Sequence, residues 1–381
     1  MSPPALHHES YAERIWLRFW SDRFARNGLR TVIVLFIIAA LAPLLANSHA
    51  IVRVADGRLS FPVFLSLEPI EWRFLIYVPL AGLVYGFRRQ LLSRGWRSVW
   101  IIVGLVVLVE IFLGFSHPIN DPTNDRDRPA SFKLLPLIPY SPIETTPDAF
   151  SAPTWRHPCG TDSTGRDIAA RMLHGARTSL SIGFVAQSIA LSIGVTLGGL
   201  AGYYRSWIDI IVCRFIEIMD CFPPLLLILV AISLFESQNN MFYIMAVIGL
   251  TSWTGVARLV RAEFLRLSAQ PFTLAARAIG ASDLRIIVRH LLPNSLGPIL
   301  VAGTFGVASA ILLESSLSFL GFGMQAPTPS WGDILSEARM YIDFAWWLAF
   351  FPGLAILITI MSYNFVGEGL RDAVDPRLRL K

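Results

Sequence analysis

Apolar and polar positions in this chain segregate into long apolar blocks divided by charged intervals, rather than alternating at the period of a soluble helix or strand. A bilayer core needs about 17–25 apolar residues per helix. Eight blocks reach or approach that length: Leu29–Ala46, Trp72–Phe87, Ser98–Phe115, Thr178–Gly202, Cys221–Phe235, Met241–Ala257, Leu296–Leu320 and Ala345–Val366. The second is the weakest, being short and interrupted by Pro79, Gly82 and Gly86. The pattern predicts an all-α polytopic membrane protein with about eight transmembrane helices. Between the third and fourth blocks, prolines at 118, 122, 129, 136, 139, 142, 147, 153 and 158 forbid long helices and predict an irregular ledge. No internal repeat is visible, so carriers built from inverted repeats gain no support.

Composition agrees with the pattern. Hydrophobic residues make up 54% of the chain and charged residues 15%, with a mean hydropathy of +0.55. The net charge of +5 is mostly arginine, since lysine occurs only at Lys133 and Lys381. Those arginines flank the apolar blocks, which is the positive-inside arrangement of a membrane protein and not a nucleic-acid surface. Arg14, Arg18, Arg23, Arg26 and Arg30 put the N-terminal segment in the cytoplasm, and Arg371, Arg377, Arg379 and Lys381 put the tail there. The expected organisation is a cytoplasmic segment (1–28), an anchor span with two extra spans (29–115), an extracytoplasmic Pro-rich segment (116–176), a multi-span helical domain (177–370) and a cytoplasmic tail (371–381). The first apolar run follows a long arginine-bearing segment and reads as an anchor, not a cleavable leader. Cys159, Cys213 and Cys221 form no paired framework and read as structural filler.

One polar interval is too elaborate to be a connector. Thr273–Asn294, TLAARAIGASDLRIIVRHLLPN, carries helix signals of its own. Pro271 suits the first turn of a helix. Ala275, Ala276 and Ala278 are small helix formers that let another surface approach. Gly280 stands where a helix end wants positive φ. Ser282 is a good N-cap, and Asp283 suits the first turn of a helix over 284–292 that Pro293 closes. A helix, a tight corner and a second helix on the cytoplasmic face are therefore predicted, with Arg277 among the candidate docking residues.

These residues resemble a known family. AAxxxG followed after nine residues by HLLPN is similar to the cytoplasmic loop of permease subunits of binding-protein-dependent ABC importers; the match falls on Ala275, Ala276, Gly280, His290, Leu292, Pro293 and Asn294. GTDSTGRDIAARMLHGARTSLSIG (Gly160–Gly183), GYYRSWID (Gly202–Asp209), ESSLSFLGFG (Glu314–Gly323), PSWGDIL (Pro329–Leu335) and FVGEGLRDAVDPR (Phe365–Arg377) resemble the dipeptide, oligopeptide and nickel branch of second-permease type. ANSHAIVRVADGRLSFP (Ala46–Pro62) resembles the variant that includes the microcin C importer permease. Leu274 stands where the family motif has Glu, and the second and third blocks add two spans to the usual six.

The resemblance implies a type I permease core in the C-terminal five spans, in a bacterial inner membrane. It implies a coupling loop formed by Ala275, Ala276, Arg277, Gly280, Ser282 and Asp283 that docks onto an ATPase. It further implies a sister permease as heterodimer partner, two ATP-binding subunits, an extracytoplasmic solute-binding protein and uptake of peptides or peptide-like solutes. ATP would be used by the partners and no cofactor by this chain. No GxxxxGK[ST] loop occurs in the sequence, so no phosphate-binding lysine is available here. No catalytic constellation or metal motif is present: GTDSTG lacks the GxSxG spacing, and His7, His8 and Glu9 read as solvated.

Glu314 sits deep in the seventh block beside Ser315 and Ser318, as a residue of the translocation pathway or permease interface, or as packing glue between helices. An ion- or proton-coupled carrier is the alternative, but essentially only Glu314 is placed to serve it. Arg214 and Glu217 fall on one helix face as an ion pair ahead of Pro223-Pro224, and Gly194, Gly198, Gly199 and Gly202 read as a helix-packing surface.

Overall fold

The computed structural model describes residues 11–55, 58–67, 71–73, 75–77, 79, 132–234, 241–324 and 326–374. Helices α1 (Tyr11–Ser21), α2 (Arg23–Leu45) and α3 (Pro62–Ser66) precede the ledge. After it come α4 (Ile168–Tyr204), α5 (Trp207–Asp220), α6 (Pro224–Ser233), α7 (Met241–Ser268), α8 (Pro271–Ala278), α9 (Asp283–Ile286), α10 (Leu292–Phe319), α11 (Trp331–Tyr341) and α12 (Trp347–Val374). Among the described residues five helices are long and apolar enough to cross a membrane: Arg23–Leu45, Ile168–Tyr204, Met241–Ser268, Asp283–Phe319 and Trp347–Val374. They coincide with the first, fourth, sixth, seventh and eighth predicted blocks. Most of Trp72–Phe87 and all of Ser98–Phe115 lie outside the described residues.

The fifth block departs from expectation. Cys221–Phe235 is not a straight crossing; α5 and α6 meet at an angle of 84°. Pro223 excludes helical geometry at the residue before it, and Pro224 opens α6 at its first turn. The ten residues of α6 rise only about 15 Å, half of a bilayer core. A second departure is β-structure: β1 (Val52–Ala55) pairs antiparallel with β2 (Arg58–Ser60) and with β3 (Phe132–Leu134), in register Val54↔Leu59 and Val52↔Leu134. The alternation VRVA suits a pleated strand, and the run is too short to compete as a helix.

The chain divides into two compact units, each assembled from separate stretches of sequence. One comprises 1–33, 179–325 and 353–381, and the other 34–178 and 326–352. In the first, α4 and α7 pack backbone to backbone. A Cβ at Gly194 would lie 2.6 Å from Val256, and one at Gly202 would lie 2.6 Å from the Arg261 carbonyl, while Gly198 abuts the Ala257 carbonyl. This four-residue repeat of glycine is the packing surface expected from the sequence. Arg261 grips Asp209 of α5 with two bonds of 2.5 and 2.8 Å, and Arg214 pairs with Glu217 at 2.6 Å as the spacing predicts.

In the second unit, residues 135–167 run without helix, held by bridges Thr145↔Arg166 and Thr161↔Asp167. The proline-rich ledge thus has the irregular course its composition requires. α11 starts on a true cap, the Ser330 hydroxyl accepting the Asp333 N–H at 3.1 Å.

Candidate functional site

The polar corner after α7 is built almost residue by residue from local rules. Gln270 is extended and Pro271 occupies the first turn of α8, where its missing N–H leaves no bond unmade. Gly280 takes φ +80° with open space around it, so glycine is required there by backbone conformation and not by crowding. Its N–H donates to Arg277 O at 2.9 Å and that of Ala281 to Ala276 O at 3.0 Å, the paired bonds that close a helix on a left-handed residue.

The inner face of the corner belongs to the chain itself. Thr273 is fully buried and its hydroxyl donates to the Leu267 carbonyl at 2.9 Å. Ala276, Ile286 and Leu291 enter a core cluster with Tyr203, Val260, Phe264 and Leu267. Ala276 is small where α8 lies on its own supporting helices. Two more of the six coupling residues are engaged within the chain. The Arg277 guanidinium lies 5.1 Å above the Tyr203 ring, and Tyr203 Oη donates to Asp283 Oδ1 at 2.5 Å. Ala275, Arg277, Gly280, Ser282 and Asp283 all remain exposed.

Two details correct the expected second helix. Ser282 has N-cap dihedrals, but its side chain makes no cap bond. Pro293 does not end the helix: a π-helical turn, Ile287–Leu291, carries α9 into α10, so one helix runs from Asp283 to Phe319. The wider turn makes room for the proline ring against the preceding carbonyls, and Asn294 Nδ2 donates to the His290 carbonyl at 2.6 Å. The outer face carries what sequence reasoning missed. Leu274, Ile279, Leu284 and Val288 are exposed, Ile279 to 85%. Their signal was available: they are apolar, yet lie out of step with the buried positions 273, 276, 286 and 291.

The corner thus presents an apolar ridge on a polar, arginine-bearing segment between membrane helices. Residues 194–380 match the family of binding-protein-dependent transport system inner membrane components. A dipeptide transport system permease protein of Alkalihalophilus pseudofirmus is 42% identical over 249 residues, covering 65% of this chain and 81% of the relative. The chain belongs to this family.

A putative peptide transport system permease protein of Brucella abortus is 42% identical over 297 residues, 77% of this chain and 92% of its own length. A glutathione transport system permease protein of Pectobacterium atrosepticum is 40% identical over 227 residues, 60% and 75% respectively. The solved methionine ABC transporter MetNI, inward facing, aligns with a TM-score of 0.45 and 19% identity, covering 53% of this chain and 95% of its own. Membership of the inner membrane component family, with five apolar helices among the described residues, makes the protein a multi-pass membrane permease subunit, and the family match contains the whole corner.

A second polar cluster in this permease joins two segments singled out by their motifs. Arg171 of α4 is buried and donates to Asp162 at 2.5 Å, Glu337 at 2.6 Å and Asp333 at 2.8 Å. Arg166 adds bonds to Asp162 at 2.6 Å and Glu337 at 3.1 Å. Burial is the largest influence on Asp162, yet the Arg171 charge and the Arg166 bonds hold its carboxyl below the usual range. For Asp333 and Glu337 burial prevails over Arg171 and raises both. Glu337 Oε2 is buried without a hydrogen-bond partner. Trp331 Nε1 and Trp347 Nε1 then tie α11 and α12 to the carbonyls of Met172 and Thr161, both at 3.0 Å.

Glu314, Ser315 and Ser318 are not on a surface. All three are buried in their own unit, with the Ser318 hydroxyl donating to Glu314 Oε1 at 2.8 Å. The serine one turn on supplies a hydrogen bond to a carboxylate that membrane burial would otherwise make costly. His7, His8 and Glu9 lie outside the described residues.

Proposed function

We propose that this permease pairs with a sister permease in a bacterial inner membrane. There it would import peptides or peptide-like solutes delivered by an extracytoplasmic binding protein and driven by two ATPase subunits. The relatives named as dipeptide, peptide and glutathione permeases support that substrate class. The observation that carries the coupling is the ridge of Leu274, Ile279, Leu284 and Val288. Interleaved arginines at 277, 285 and 289 keep this segment out of hydrocarbon. Its apolar side chains are therefore left for a protein groove on the ATPase. Leu274, in place of the acidic residue of the family motif, makes that contact apolar at its centre. Closure of the ATPase pair on ATP would pull the corner and switch the pathway between inward- and outward-facing states.

The test follows from the faces of the corner. Ile279→Glu together with Leu284→Glu places charge on the ridge and leaves the inner packing untouched. Co-purification of ATPase subunits with the membrane-inserted variant should fall at least about tenfold, as loss of a hot-spot pair predicts. Retention of the ATPase at wild-type level would refute docking through this face.

A further inference from the structure

The GYYR stretch at the end of α4 has no role in the docking ridge, yet its side chains converge on the corner. Arg205 takes a left-handed backbone, φ 51°, at the position after α4 where glycine is usual. Its guanidinium donates to the Leu265 carbonyl at 2.8 Å and reaches the Ser268 hydroxyl at 3.4 Å, closing the end of α7. Gly202 lies against the Arg261 carbonyl, so the two helix ends meet at backbone distance. Tyr203, between them, is 5% exposed and touches both halves of the corner. Its hydroxyl is bonded to Asp283 at the start of α9, and its ring face carries Arg277 from the last turn of α8. Gly280 adds no side-chain contact between the arms, and nothing lies within 4 Å of where a Cβ would stand. Beside the apolar packing of Ala276, Ile286 and Leu291 beneath the corner, this one aromatic residue makes polar contact with both of its arms.

We propose that Tyr203 is the positioning residue through which displacement of the corner is transmitted to α4. The proposal rests on the docking reading above. Without the Tyr203–Asp283 bond, α8 and α9 can change their mutual angle about Gly280 when the ATPase pulls, and the motion is dissipated at the corner. With it, both arms move as one body with the end of α4, a helix that runs 37 residues from Ile168 to Tyr204. The hydroxyl and the ring act separately: the first fixes the angle between the arms, and the second supplies a cation–π seat for Arg277.

The experiment uses the assembled importer in nanodiscs, reading ATP hydrolysis with and without its binding protein. Tyr203→Phe keeps the ring and removes only the hydroxyl. Basal hydrolysis should stay within about twofold, while the increment caused by the binding protein falls about tenfold, the change expected from one hydrogen bond to a charged acceptor. Asp283→Asn combined with Tyr203→Phe should lower the increment no further than the more severe single variant, since both act on one bond. A wild-type increment in Tyr203→Phe, or losses that multiply in the double variant, would overturn the proposal. Loss of the ATPase subunits from the Tyr203→Phe complex would overturn it too, since the tyrosine would then serve docking. A wild-type permease that purifies without ATPase would instead sink the docking reading.

Discussion

Arg171 is the side chain whose removal the ledge should tolerate least. It is 1% exposed and donates three charge-assisted bonds of 2.5–2.8 Å to Asp162, Glu337 and Asp333. Arg171→Met keeps much of the volume and the apolar stem but strands three carboxylates with Arg166 alone. Breaking a buried ion pair by deleting one partner costs about 3–5 kcal/mol, because the remaining charge has neither water nor counterion. Three acceptors share this cation, so the upper part of that range applies. Arg171→Lys restores the charge without the planar fork that reaches several acceptors at once, and should recover about half of the loss. Arg166→Met removes a more exposed arginine with one charge-assisted bond shorter than 3 Å to a carboxylate side chain and should cost about 1.5–3 kcal/mol. The assay is thermal unfolding of the detergent-purified permease, followed by size-exclusion recovery after heating. A melting temperature in Arg171→Met no lower than in Arg166→Met would refute the assignment of Arg171 as the centre of the cluster.

The same cluster has a pH signature. Burial raises Glu337 in the fold, so its contribution is fully present below its unfolded pKa and is lost as pH rises through the folded value. Glu337→Gln cannot ionise; its melting temperature should therefore gain on the wild type between pH 5 and pH 8, and a gap that moves the other way would contradict the burial argument. Gly198→Val places a side chain against the Ala257 carbonyl, and α4 cannot withdraw without also opening the Gly194 and Gly202 contacts. Overpacking of this kind costs about 1–3 kcal/mol or more, so the yield of monodisperse permease should drop sharply, whereas Gly255→Val, with nothing within 4 Å, should express normally.

Much of this protein was legible in its sequence because the governing physics is local. A membrane helix must satisfy its own backbone and offer an apolar surface, so five blocks of the right length announced five spanning helices. The glycine at 280 announced its corner for the same reason: few other residues take φ +80° without strain. The glycine repeat of α4 was equally readable, since side-chain-free positions four apart mark one helix face.

Only the tertiary structure decided which way the corner faces. In an eight-residue helix such as α8, the alanines at 275 and 276 are alike in composition, and the neighbours alone bury one and expose the other. Tyr203 and Asp283 are separated by 80 positions, and Arg171 and Glu337 by 166. No periodicity reports such pairings, because a charge finds its partner through the packing of whole helices and not through spacing along one. The sequence by itself determined the membrane class, most of the spanning helices and the existence of a polar corner. The folded chain decided that Ala276 is buried beneath that corner and that Arg277 and Asp283 reach Tyr203, while Leu274, Ile279, Leu284 and Val288 are left outside, because burial of one face of a short helix is settled by what lies beneath it.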